Sequence, residues 1–192
     1  VLSLTNLVVI RLDKGHLGKT FARQPWKTDF ACNIPCPTMS ENRMLLTCGY
    51  NHKTTEAFDL SASGGFTPAW TSRAAHAVVT TPVLRNGRAY VLGGTMACLD
   101  LANGNVAWKG GQFGHGSMIA TSDNKLIACG NGRLALLDIA PGVGSFTELS
   151  LADKVLPDTC YPHLALSDGL LTCKDRAGNL VAFDLQPTSA TR

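Results

Sequence analysis

The sequence predicts an all-β fold, a β-propeller of four-stranded antiparallel blades, and three observations carry that expectation. An apolar residue followed by Asp recurs at Leu12-Asp13, Phe58-Asp59, Leu99-Asp100, Leu137-Asp138 and Phe183-Asp184, with the aspartates 46, 41, 38 and 46 positions apart. A period of roughly 40–50 residues is that of propeller blades. Polar turns recur in step with it, at Glu41-Asn42, Asn86-Gly87, Asp123-Asn124 and Asp168-Gly169. Asn-Gly and Asp-Gly favour tight hairpins because both central positions tolerate positive φ. No stretch shows the 3.6-residue apolar period of a helix.

Each unit then reads in the same order. A short first strand (38–39, 79–84, 118–120, 164–166) runs into the polar turn. An alternating second strand follows, such as 88–92 or 125–129, closed by Gly49, Gly93 or Gly130. The third strand ends in the Asp, whose carboxylate is expected to accept N–H bonds from the loop it opens. A fourth strand carries an aromatic residue: Trp26, Trp70, Trp108 or Phe146. A β-sandwich accounts for short strands and turns but not for the recurring Asp and aromatic.

The count is two strands, three full blades at about 36–71, 79–109 and 116–150, then three strands, with partial blades at 1–27 and 160–185. Seventeen strands do not close a four-bladed ring, and the polar end 186–192 offers no fourth strand. The expectation is therefore about four to five blades of a seven- or eight-bladed ring, completed by the rest of the propeller or by a second copy of the chain. Val1 follows no initiator Met, which reads as a processed or truncated start.

Composition narrows the function classes. Hydrophobic residues make up 45% of the 192 and charged residues 16%, a globular balance. The net charge of +3 is not gathered into a basic stripe, which sets nucleic acid aside. The apolar runs fall far short of the roughly 20 residues of a membrane span. Seven cysteines leave at least one thiol unpaired within the chain. Cys48, Cys129 and Cys173 sit in similar strand contexts, as small apolar filler. Cys32 and Cys36 are the one close pair, and no second pair or adjacent His completes a zinc site. Of fourteen acidic residues, five are the repeated anchors, and Glu41, Asp123, Asp168 and Asp175 fall in turns. Asp29, Glu56, Glu148, Asp153 and Asp158 remain, a thin set for chemistry.

The segment from Cys98 to Trp108 resembles the tryptophan-docking motif of pyrroloquinoline-quinone (PQQ) repeat propellers, Ala-x-Asp-x-x-Thr-Gly-x-x-x-Trp. Asp100, Gly104 and Trp108 match, while Cys98 and Asn103 depart at the Ala and Thr positions. Ala57, Asp59 and Gly64 fit in the preceding unit, where Trp70 comes later than the pattern asks. Ala182 and Asp184 fit in the last unit, which has neither the Gly nor the Trp. The units at 116–138 and 161–185 are similar to closing blades of exported bacterial PQQ-like propellers, which include outer-membrane-assembly scaffolds. The resemblance implies a non-catalytic scaffold with no cofactor, in the periplasm or otherwise exported, that presents its faces to a protein partner or ligand. It also implies an alternative, the C-terminal part of a PQQ-dependent dehydrogenase. Such an enzyme adds adjacent cysteines that stack on the quinone, a Ca²⁺ held by carboxylate and amide oxygens, and a catalytic Asp. This sequence has no adjacent cysteines and no calcium-loop pattern.

In a propeller the first strand of each blade lines the central channel, and the loops that enter those strands form one face. Those loops carry Asp29, Asn33, His76, His115, Asp158, Tyr161 and His163. They are the candidates for a polar funnel that binds a ligand or a partner's loop, against the alternative of ordinary solvated loop polarity. The histidines lack the short spacings of metal motifs, so no metal and no catalytic residue is assigned.

Overall fold

The computed structural model describes residues 1–142 and 144–186. Runs such as Arg43–Cys48 and Lys125–Gly130 are apolar almost throughout, so both faces of these strands must be covered. Five antiparallel sheets do this by stacking in chain order. Blade one has β1 (Asn6–Ile10) and β2 (Thr20–Pro25); blade two has β3 (Thr38–Ser40), β4 (Arg43–Cys48), β5 (Thr54–Leu60) and β6 (Phe66–Ser72). Blade three has β7 (Val83–Arg85), β8 (Arg88–Asp100) and β9 (Val106–Gly114). Blade four has β10 (Ser117–Ala120), β11 (Lys125–Gly130), β12 (Arg133–Asp138) and β13 (Thr147–Ala152). Blade five has β14 (Ala165–Ser167), β15 (Leu170–Lys174) and β16 (Leu180–Asp184). Residues 187–192, in the segment expected to hold no fourth strand, lie outside the described residues.

Strand β8 is two strands of one blade. Its ends meet, with Arg88 Nη1 3.1 Å from Asp100 Oδ2, whereas thirteen extended residues would span roughly 40 Å. The reversal falls at Gly93-Gly94, where Gly94 has φ +96°. Blade three is therefore four-stranded, and the described strands number seventeen. One short 3₁₀ turn, Asp29–Ala31, is the sole helical element among the described residues.

Alternation along the inner strands explains the core. In β4, Leu45 packs toward blade three, while Met44, Leu46 and Cys48 pack toward blade one. In β11, Leu126 and Ala128 face blade three, and Ile127 and Cys129 face blade five. Four buried clusters result, one at each blade junction. The repeated cysteines do fill strand positions, but not equivalent ones. Cys48 and Cys173 face the preceding blade and Cys129 the following one.

Whereas Asp13 lies beyond β1 and pairs with Arg11 and His16, the repeated Asp closes blades two to five at a fixed place. The residue after it donates its N–H to the polar turn: Leu60 to Asn42 O, Leu101 to Gly87 O, Ile139 to Asn124 O and Leu185 to Gly169 O. Asp100, Asp138 and Asp184 also accept from Ala102, Ala140 and Gln186 N–H as expected. Asp59 departs from this: its carboxylate takes two bonds of 2.8 Å from Arg43. The cation is itself repeated, since Arg88 pairs with Asp100 and Lys125 with Asp138. A β-bulge sits just before the Asp in all three full blades, at Ala57/Phe58, Cys98/Leu99 and Leu136/Leu137.

That bulge fixes which aromatic reaches the next blade. Trp70 pairs with Ala57 and Trp108 with Cys98, both two residues before the Asp. Trp70 lies over Gly104 of the next blade and donates its indole N–H to Leu101 O at 3.0 Å. Trp108, only 9% exposed, packs on Tyr90 and Phe146 in the core between blades three and four. Trp26 and Phe146 do not hold this position. Trp26 follows β2 and stacks on His52, and Phe21 lies against Gly64 instead. Phe146 precedes β13, where the equivalent residue is Ser150.

Candidate functional site

The segments that carry the chain from one blade to the next gather at one end of the sheets. They are stitched to each other around the inner wall. Cys36 N donates to Thr81 Oγ1 (3.0 Å), Thr80 Oγ1 to Gly116 O (2.6 Å), and Leu164 N to Ser117 Oγ (3.0 Å). Glycines let these segments approach: a Cβ at Gly93 would strike the His76 carbonyl, and one at buried Gly116 the Cys129 carbonyl. The result is a rigid mouth, and the seven candidate residues lie on it with different fates.

His115 and Tyr161 come together, with ring centroids 6.4 Å apart. Tyr50, which the sequence reading did not single out, lies in the turn between β4 and β5. Burial raises its hydroxyl pKa first, then the Cys32 thiol against it, with smaller effects of Cys48 and Tyr161. Asn33 is structural: its Nδ2 donates to Ser3 O at 2.7 Å and its Oδ1 accepts from Thr28 at 2.9 Å. Asp158 is also tied down. Its carboxylate accepts the Thr159 N–H at 2.6 Å and pairs with Arg176 at 3.3 Å, which holds the carboxyl below its ordinary value. Its own N–H donates to buried Asp175.

His76 stands apart from that group. Burial holds it below the ordinary imidazole value, and Lys53 and Lys109 add to this. Its Nδ1, like that of His115, is buried without a hydrogen-bond partner among the described residues. His163 is exposed and joins no other candidate.

Asp29 lies in the 3₁₀ turn, where its N–H donates to Asn51 Oδ1 at 3.2 Å. That turn displays the residue sequence reasoning missed. Phe30 is 91% exposed, and both Phe30 and Ala31 hold positive φ, 56° and 55°. Two consecutive left-handed non-glycine residues cost about 1–2 kcal/mol each, so the surrounding bonds must impose the shape. Thr28, Asn33 and Asn51 supply them. Nothing in the sequence marks Phe30, a single aromatic in a short polar run.

Among the described residues no three His, Cys, Asp or Glu side chains lie close enough together to hold a metal ion. No described Ser, Thr or Cys side chain is hydrogen-bonded to a histidine; the histidine bonds run to Asp13 and to the Lys27 carbonyl.

No family model matches the chain, and no curated protein does. Solved structures do. BamB from Moraxella catarrhalis is similar over 94% of this chain with a TM-score of 0.68 and 14% identity. Hsv2p from Kluyveromyces lactis is similar over 96% with a TM-score of 0.62 and 11% identity. The computationally designed Ika4 protein is similar over 79% of this chain and 92% of its own, with a TM-score of 0.58 and 16% identity. The chain spans about half the length, 55%, of BamB and of Hsv2p, both propellers. At these identities the likeness concerns the fold, and the fold is a β-propeller. Among the described residues no helix is long and apolar enough to cross a membrane.

Proposed function

We propose that this chain is a PQQ-like propeller scaffold, without chemistry of its own, that binds a protein partner at the mouth where its blades connect. The observation that carries the reading is the Phe30 turn. A strained loop, fixed by three side-chain bonds, presents a nearly fully exposed aromatic, Phe30, on the connecting segment that leads into blade two. Rigid, pre-shaped aromatic anchors are what binding energy concentrates on, because little ordering cost is left at association. The acid inventory agrees: most carboxylates are committed to turns or cation pairs. Trp70 over Gly104 supports the PQQ-repeat assignment, and an exported location follows from the same resemblance.

The test is a photo-crosslinking amino acid at position 30, compared with one at Glu41 on the opposite turns, in the full-length protein in its native cells. A single polypeptide captured from position 30 and not from 41 is the expected result. Equal capture from both positions, or none from 30, rejects the reading. Saturable dye reduction with PQQ and Ca²⁺, lost on mutating Asp29 or Asp158, would reject the non-catalytic part.

A further inference from the structure

The repeat leaves the docking slot between blades four and five without its tryptophan. Trp70, Trp108 and Ser150 occupy the same register position, each paired with the residue two before its blade's Asp. Trp70 packs among Leu45, Ala57, Ala89, Leu99 and Leu101. Counted from the same turn and Asp, the counterparts at the junction of blades four and five are Ile127, Leu136, Leu171, Phe183 and Leu185. Those five, together with Ser150, line an apolar cavity of ≈ 250 Å³ between blades four and five. Leu136 and Leu171 are larger than Ala57 and Ala89 and refill part of the space, but the cavity remains. The internal copies thus show what the slot is shaped for, a flat indole.

We propose that this slot between blades four and five receives the tryptophan side chain of a partner polypeptide. A polypeptide source fits because the slot lies beside β13, an edge strand of its sheet, whose exposed Ser150 and Ala152 line the opening. A segment lying along that edge can meet unpaired backbone groups while its indole enters. The carbonyl of Leu185 is the counterpart of the Leu101 carbonyl that accepts the Trp70 N–H. The proposal deepens the scaffold reading but uses a different surface from the mouth, so each can fail alone.

The experiment titrates the full chain, methyl-labelled at leucine, with N-acetyltryptophanamide, N-acetylalaninamide and free indole, read by NMR. The expected result is saturable shifts of the Leu136, Leu171 and Leu185 methyls with the tryptophan amide, with Kd about 1 mM for so small a ligand. The alanine amide should give none, and free indole should bind at least several-fold more weakly. Ser150→Trp, which fills the slot from within, should abolish the shifts. Leu185→Lys, at a half-exposed position that tolerates charge, should abolish them too if the first variant fails to fold. Shifts that map elsewhere, fail to saturate or survive in a folded variant overturn the site. Indole binding as tightly as the amide overturns the polypeptide source.

Discussion

Replacing Gly104 with alanine isolates what the blade-to-blade docking contributes. A Cβ there would lie 2.5 Å from Trp70 Cε3 and 2.7 Å from Cδ2, far inside van der Waals contact. The indole must move, and its bond to Leu101 O is strained or lost. Gly104 also has φ +76°, so alanine suffers a backbone cost of about 1 kcal/mol regardless of the contact. Gly18 separates the two, because its φ is +77° and nothing lies within 4 Å of its Cβ position. We expect Gly18→Ala to cost about 1 kcal/mol and Gly104→Ala about 2–4 kcal/mol, the excess being overpacking against the ring. For a domain of this size that means a Tm lowered by about 5–15 °C for Gly104→Ala. Urea unfolding of both variants, and of Gly104→Ala in a Trp70→Ala background, completes the cycle. With the ring removed, the Gly104 cost should fall to the Gly18 value, a coupling of about 1–3 kcal/mol. If Gly104→Ala costs no more than Gly18→Ala, or costs the same without Trp70, the docking argument is wrong.

Three further outcomes follow from the same structure. Trp108→Ala should destabilise by about 3–5 kcal/mol, because it empties a site between Tyr90 and Phe146, and denaturant curves will show it. Native protein treated with iodoacetamide should be labelled at exposed Cys36 and partly exposed Cys32, and at all seven cysteines only after unfolding. Burial pushes the Cys98 thiol up to about 11, so mild alkali should not change that pattern in the mass spectrum. Arg43 holds Asp59 below its ordinary 3.8, so this pair's stabilisation is fully present above the unfolded pKa and lost as pH falls through the folded one. Wild-type stability should therefore fall more steeply below about pH 4 than that of Asp59→Asn, and parallel curves would contradict it.

The parts legible in the sequence are those fixed by local chemistry. A turn such as Asn86-Gly87 announces itself because both residues take positive φ, 49° and 68°. The Asp recurs because the N–H of the residue after it closes onto that turn in every blade from two to five. Aromatic identity misled where register decided. Trp26 and Phe146 are the right residue types near the right strand ends, but the bulge before each Asp sets the docking position, and a bulge has no residue signature here. The cation at the start of the second strand, Arg43, Arg88 or Lys125, was readable as a repeat and carries the cross-strand pairing.

The mouth is harder for a different reason. Its contacts join residues whose separation along the chain exceeds a blade, as with His115 and Tyr161, and depend on how each connecting segment is pinned. The segment 153–164 shows this. It is held by Val155 N to Gly132 O, Leu164 N to Ser117 Oγ and Arg176 N to Thr159 O, bonds that reach into two blades. It thereby brings Cys160 against Cys129 and Cys173, and the contact with Cys173, then burial, drives the Cys129 thiol upward. None of these three cysteines has a sequence neighbour that betrays the others. A repeat specifies each blade from within, whereas the side chains that meet between blades are specified only by the unequal segments that connect them. That is why a binding surface on such a fold can change while the blades beneath it stay recognisable.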